Sequence, residues 1–314
     1  MVYFAVLLLA AAAFFLIVMV IDNHRFVVRR YLVRSARVRS KLRIVFIADL
    51  HENGYGDGNE DLARGIAAQE PDLILVGGDL IISAKVPEQC SADAEGDGGL
   101  PSEAGCPEWM KNSFALMQKL AGICPVFFVR GNHEIRLDYY DELRENGALF
   151  RAKMEEAGVR FLGNGCTEPV PGIRLQGLEL PMEYYRKFRK TVLSGKDLEG
   201  LIGRSDPSYF NVLLTHTPVY FEQYSEWGAD LCLCGHVHGG LMRLPLIGGV
   251  VGTRPSLFPK YSGGQYCYTP EVREGKRKST LVLTCGLGMH TLPIRIFNPG
   301  EISVVEIEPD ESGI

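Results

Sequence analysis

The sequence lacks the marks of several common chemistries, and each absence narrows the reading. Its eight cysteines form no CxxC pair and no repeating spacing. That excludes a zinc-ribbon or thioredoxin-like motif and makes free thiols in a reducing compartment the simpler expectation. No GxSxG elbow is present, so nothing marks a serine hydrolase. No internal repeat occurs. Acidic residues are nearly missing from the first 43 positions, where Asp22 stands alone against eight basic side chains. The remainder carries 25 basic and 37 acidic residues, and an acidic body of that size excludes the broad cationic footprint of a nucleic-acid binder. Apolar residues are plentiful. With 314 residues, 46% apolar and 23% charged, the chain is too apolar to be disordered and long enough for one large domain or two ordinary ones.

Val2 to Ile21 contains no charge, proline or glycine. A helix of that length spans a bilayer core, and core helices of soluble proteins are rarely apolar on every face. Residues 1–22 are therefore expected to be a transmembrane anchor, with the membrane engaged through residues 2–21. Behind it stand Arg25, Arg29, Arg30, Arg34, Arg37, Arg39, Lys41 and Arg43. Residues 23–41 read as a basic juxtamembrane segment that could lie against anionic headgroups, its second half entering a first strand. By the positive-inside rule the chain is expected to be single-pass with its large domain, residues 42–314, facing the cytoplasm. A chain begun near Arg39 is expected to keep its chemistry, since every candidate site residue lies beyond residue 48.

From Leu42 onward short apolar runs alternate with amphipathic stretches. Arg43–Ala48, Asp72–Val76, Val126–Val129, Asn211–Thr215 and Leu231–Cys234 read as buried strands, with two more at Thr280–Thr284 and Ile302–Ile307. Asn59–Gln69, Glu108–Ala121, Asp138–Ala157 and Glu183–Ile202 read as helices. Such alternation predicts an α/β layered fold. Residues 83–107, rich in Gly, Ser, Ala, Asp and Glu, break the rhythm and read as a long loop. A disulfide between Cys90 and Cys106 would form only in an oxidising space.

The residues just beyond each strand are the informative feature. RIVFIA leads into Asp49-Leu-His51, DLILVGG into Asp79, VFFVRG into Asn132-His133-Glu134, NVLLT into His216, and LCLCG into His236-Val237-His238. Five of the seven histidines are spent there. Each motif alone is weak, and its bland reading is a cap, a loop or a bonded core histidine. Together they point to a cation, because burying several carboxylates and imidazoles at one sheet edge is otherwise costly. Seven candidate ligands (Asp49, His51, Asp79, Asn132, His216, His236 and His238) exceed a four-coordinate zinc site, and two cations sharing one carboxylate would use them all. Nitrogen and oxygen donors without thiolate suit two divalent ions of Mn, Fe, Zn or Co. Cys232 and Cys234 read as packing and His24 as an interfacial side chain. Arg243 is a candidate phosphate contact. His290 and Arg295 are weaker ones.

The series DxH, GD, GNHE, H and GHxH is similar to the calcineurin-like metallophosphoesterase superfamily, and within it to the membrane-anchored bacterial YkuE-like phosphodiesterase branch. The likeness runs from about Arg43 to Glu308 and includes WGADLCLCGHVHGGLMRLPLIGG, LFPKYSGGQY and CGLGMHTLPIRIFNPGEI. It implies a four-layer αββα sandwich, here preceded by one transmembrane helix. It further implies that Asp49, His51 and His238 hold a first metal and Asn132, His216 and His236 a second. Asp79 would bridge the two, and His133 would be catalytic beside the substrate phosphate. The reaction implied is hydrolysis of phosphodiester or pyrophosphate bonds by a hydroxide shared between the ions. The anchor favours a lipid-linked or nucleotide-diphosphate substrate. A phosphomonoesterase or protein phosphatase is the nearest alternative, and a non-catalytic binding scaffold the more distant one. Cys285 departs from the branch pattern, where an Arg often precedes GLG, and the acidic insertion after Asp79 is unusually long. A monomer with no nucleic-acid partner is expected.

Overall fold

Leu42–Ile47 reads LRIVFI, and side chains alternate across a strand, so this segment presents apolar groups on two faces and must be covered on both. The computed structural model describes residues 2–88, 105–186, 191–244, 247–252, 256–272, 275–290 and 292–310. The chain begins α1 (Val2–Asn23), β1 (Phe26–Ser35), β2 (Leu42–Ile47), α2 (Glu60–Ala67), β3 (Leu73–Val76), α3 (Lys111–Ala121) and β4 (Val126–Phe128). It continues α4 (Asn132–Tyr139), α5 (Arg144–Glu156), β5 (Val159–Phe161), β6 (Cys166–Val170), β7 (Ile173–Leu178), α6 (Gly195–Ile202), β8 (Phe210–Thr215), α7 (Phe221–Trp227) and β9 (Leu231–Cys234). It closes with β10 (Met242–Leu244), β11 (Gly248–Val251), β12 (Gly264–Tyr268), β13 (Glu271–Val272), β14 (Gly275–Lys276), β15 (Ser279–Leu283) and β16 (Gly300–Pro309).

Two six-stranded sheets result, ordered β1-β16-β2-β3-β4-β5 and β12-β15-β9-β8-β7-β6. Period-two alternation in β2 sorts the layers. Ile44 and Phe46 join Leu75, Ile173, Leu175, Val212 and Leu233 in a core between the sheets. Val45 and Ile47 turn the other way and pack with Leu62, Met117 and Phe150 of the first sheet's helices. Leu213, Cys232 and Leu281 face Leu198 and Tyr224 on the far side of the second sheet. The architecture is the expected αββα sandwich. Strands β2 to β5 are parallel, as are β7, β8, β9 and β15, so their carboxyl ends gather along one edge.

Several elements differ from expectation. The span 138–157 is two helices, because Tyr140 is extended (ψ 125°) and breaks it, and α4 begins earlier at Asn132. The NHE motif is therefore the first turn of a helix. Among the described residues of the span 183–202 only α6 is regular helix, started by Ser194, which accepts from the Asp197 amide in a capping box. Strands β5 to β7 and β10 to β14 and helix α7 are additional to the elements that the sequence pattern predicts, and β1 starts at Phe26, ahead of the second half of the basic segment. Cys90 lies outside the described residues, and with it the expected pairing to Cys106.

The basic segment 23–41 is the largest revision. Phe26–Ser35 is an edge strand running parallel to β16, with Phe26 opposite Gly300. Its arginines face acids of that partner: Arg29 pairs with Glu301 at 2.5 Å, Arg34 with Glu308 at 3.5 Å and Arg30 with Glu306 at 3.7 Å. Arg37 reaches Asp230 at 2.5 Å and Lys41 reaches Glu308 at 2.7 Å. Glu301 is fully buried and also accepts from Tyr31 at 2.8 Å. A chain begun near Arg39 would strand that carboxylate. Its loss should cost about 3–5 kcal/mol, the scale for an uncompensated buried charge. Thermal unfolding of chains begun at Arg25 and at Arg39 should show the second melting well below the first; equal midpoints would overturn this.

Candidate metal centre

The edge where the parallel strands end is built from tight, left-handed turns. Asp49, His51, Asp79, His236 and His238 all have positive φ, between 49° and 74°. A non-glycine residue there costs roughly 1–2 kcal/mol, so the surrounding core must hold each one in place. The turns after β2 and β3 run side by side, with the Asp49 amide donating to Gly78 at 2.9 Å and the His51 amide to Asp79 at 3.1 Å. Gly131 sits where a Cβ would collide with Asp79 Oδ1, and Gly286, at φ 67°, where one would meet the Asp49 side chain at 2.7 Å. Only glycine fits both places. Glu134 clamps the same turn, its carboxylate accepting from the amides of Asp79 (2.9 Å), Leu80 (2.7 Å) and Gly131 (2.9 Å).

All seven candidate ligands and His133 converge here. Asp79 Oδ2 lies 3.0 Å from His216 Nε2 and 3.9 Å from His51 Nε2, between two groups of donors. On one side His51 Nε2 is 3.4 Å from His238 Nε2, which is 4.0 Å from Asp49 Oδ1. On the other, His236 Nδ1 faces His216 Nε2 at 3.1 Å. Asn132 Oδ1 is buried and has no hydrogen-bond partner. An orphaned amide oxygen, nitrogens aimed at one another and two buried carboxylates fit divalent cations as few other groups do.

Hydrogen bonds to the far side of each ring fix the tautomers. Nδ1 of His51 lies 3.1 Å from the Ile81 carbonyl, that of His216 2.7 Å from Gly77, and that of His238 3.0 Å from Gly288. A carbonyl only accepts, so Nδ1 carries a proton and Nε2 is the nitrogen left facing the cluster, as a lone pair on neutral His51 and His238 and, without a cation, as an N–H toward Asp79 on His216. His133 is reversed. Its Nδ1 accepts from the Ser83 amide at 3.0 Å, so in the neutral ring Nε2 carries the proton and is a donor. His133 lies close enough to His51 and Asp79 to share an ion with them, but the Ser83 amide argues against it.

Charge and burial set the protonation. Burial and the neighbouring histidines hold His51 down at about 3, and His133, likewise buried, at about 4. Burial also pulls at His216, but Asp79 and Asp49 outweigh it and hold that imidazole up at about 9. Burial lifts Asp49 to about 7, whereas the surrounding histidines overcome burial and keep Asp79 well below the usual carboxylate range. The site carries excess negative charge that a proton on His216 partly offsets.

Residues 42–240 match the calcineurin-like phosphoesterase family. The chain belongs to that family. It is 30% identical over 297 residues to the uncharacterised metallophosphoesterase YkuE of Bacillus subtilis, covering 92% of this chain and 87% of that protein. It is 27% identical over 255 residues to YpbG of the same organism, covering 78% and 82%. The phosphodiesterase YaeI of Escherichia coli is 27% identical over 210 residues, 66% of this chain and 64% of that one. Among solved structures, Haemophilus influenzae NAD nucleotidase is similar at a TM-score of 0.42 and 15% identity, over 78% of this chain and 45% of that one. Metallophosphoesterases use divalent metals, and the His and Asp groups here could bind them.

Three further candidates are placed differently. Arg243 donates to the carbonyls of Gly239 (3.3 Å), Gly263 (3.4 Å) and Ser262, so its guanidinium ties two loops together. Arg295 is buried and donates to Gly288 O at 2.8 Å, the same carbonyl that meets His238. It positions a candidate ligand. His290 is exposed yet lies at the cluster, 4.7 Å from both the His51 and His133 rings. Its only sequence signal is its place in the tail after CGLG. Gly131→Ala should push Asp79 aside and lower bound metal while the fold still melts cooperatively. Full metal content in that variant, by elemental analysis, would contradict the packing argument.

Proposed function

We propose that the chain is a dinuclear metal-dependent phosphoesterase that cleaves phosphodiester or pyrophosphate bonds and is anchored in a membrane by α1. The observation that carries this is the tautomer division. His51, His216 and His238 tie Nδ1 to a carbonyl and turn Nε2 toward the carboxylates, where a cation would replace the proton on His216, while His133 turns an N–H toward the same space. Asp49, His51 and His238 would hold one ion and Asn132, His216 and His236 the other, with Asp79 between. When bound, two divalent cations supply Lewis acidity and an acidified water. The protein's own part is orientation: His133 Nε2–H would donate to a phosphoryl or leaving oxygen, and the Ser83 amide keeps that proton on Nε2.

The membrane reading rests on α1 alone, which is long and apolar enough to cross a bilayer and has no buried residue in its apolar stretch. The excess of arginine behind it favours a cytoplasmic domain. A phosphomonoesterase would use the same ligands.

Metal content and hydrolysis of bis-p-nitrophenyl phosphate and p-nitrophenyl phosphate, measured on one preparation, test the reaction. His133→Ala should retain two metal equivalents while kcat on the diester falls about 10²–10⁴-fold, the scale of general acid–base help. Metal loss in step with activity would make His133 a ligand. For orientation, a membrane-impermeant maleimide should reach the exposed thiols Cys166 and Cys267 only after lysis. Labelling of intact cells would put the domain outside.

A further inference from the structure

The first helix is not a free tether. Asp22 is buried and accepts from the Asn298 amide at 2.9 Å, and the Asn23 side chain donates to the Pro293 carbonyl at 2.7 Å. The segment that receives α1 also sends Phe297 along it, with ring centroids 6.3 Å from Phe14 and 6.4 Å from Phe15. Those rings lie a little over two helical turns, roughly 12–13 Å, before the end of α1. If Asp22 to Arg25 mark the water boundary, Phe297 projects beyond it toward the hydrocarbon.

Phe297 is one end of a hydrogen-bonded strip. Ile296 exchanges backbone hydrogen bonds with Leu241 and Arg243, β10 pairs with β11, and Val250 accepts from the Phe258 amide at 2.9 Å. On this strip Leu257 is 72%, Phe258 63% and Ile247 60% exposed. Phe258 and Phe297 also hold φ of 51° and 54°, a conformation bulky side chains rarely adopt. Exposing large apolar groups on strained backbone is costly in water and sensible at an interface. Beside the strip opens a mostly apolar pocket of about 270 Å³. Pro218, Val219, Val237 and Tyr261 line it, Lys260 borders it, and the candidate ligand His236 is also among its lining residues.

We propose that this strip lies in the interface of the bilayer that α1 enters, and that the pocket takes the hydrocarbon of a membrane-resident phosphoester whose phosphate reaches the metal centre. The inference rests on the proposed phosphoesterase activity and anchor, and it names their substrate class: a lipid phosphoester rather than a soluble nucleotide. Continuity with α1 selects a bilayer as the occupant, since the strip already packs against the helix.

The full chain, loaded with Mn²⁺ in phosphatidylcholine vesicles, allows two independent measurements. First, Phe258→Trp should gain emission that vesicles of brominated phosphatidylcholine quench at least twofold more than they quench the parent. Equal emission in brominated and plain vesicles overturns the proposal, and a protein partner would give that result. Second, the double variant Leu257→Gln, Phe258→Asn should lose about tenfold or more on p-nitrophenyl hexadecyl phosphate held in the vesicles. Its rate on soluble bis-p-nitrophenyl phosphate should stay within twofold; asparagine suits the φ at 258. Equal loss on both diesters, or on neither, overturns the substrate assignment. Failure of the parent to cleave either diester refutes the phosphoesterase reading instead, and the quenching result still decides the strip.

Discussion

Two carboxylates buried among five imidazoles are the constraint around which this molecule is arranged. Asp49 and Asp79 cannot both be ionised in a water-poor pocket unless positive charge sits beside them. Without a cation a proton on His216 supplies part of it, which is why that imidazole is held high while His51 and His238 are held low. The left-handed turns, the glycines pressed against each carboxylate and the Glu134 clamp all fix oxygen atoms where a shared positive charge would be worth most. The strands behind them are buried on both faces, so the turns rest on a part of the fold that yields little.

Much of this was legible in the sequence because it depends on local alternation and on residue chemistry. Strands such as LRIVFI and LCLC are apolar runs bounded by glycine and polar residues, and the groups just beyond them belong to one chemical set. Covering both faces of such strands leaves few architectures besides helices outside and sheets stacked within. The seven candidate ligands could be named because few other roles explain so many carboxylates and imidazoles at strand ends, whereas His133 is set apart from them only by the likeness to the phosphoesterase family.

What stayed hidden depends on partners far away in the chain. Strand β1 reads as a basic collar until Glu301, Glu306 and Glu308 arrive opposite it, and then its arginines are one side of a ladder. Arg243 looks like an anion contact in sequence, but the Gly239, Ser262 and Gly263 carbonyls occupy it. Arg295 and His290, alike in the sequence, part in the structure: the arginine is spent on backbone carbonyls, and the histidine is brought beside His51 and His133. The division between His133 and the other imidazoles is also tertiary, since it turns on whether a ring meets the Ser83 amide or a carbonyl.

The pairing of β1 with β16 has a consequence for how the chain matures. Phe26 lies opposite Gly300, so the strand next to α1 is made early and finds its neighbour only when almost all of the described chain has been synthesised. Until then the edge of β2 that β16 will occupy is open, and the arginines of β1 have no acids to meet. Contacts of such sequence separation form slowly, and unpaired edges invite association with other chains. Under the proposed anchoring, α1 would hold each nascent domain apart from its neighbours on the membrane surface during that interval. Closure of the first sheet is then the step that commits the molecule, and it brings the loop before β16 against the helix in the same movement.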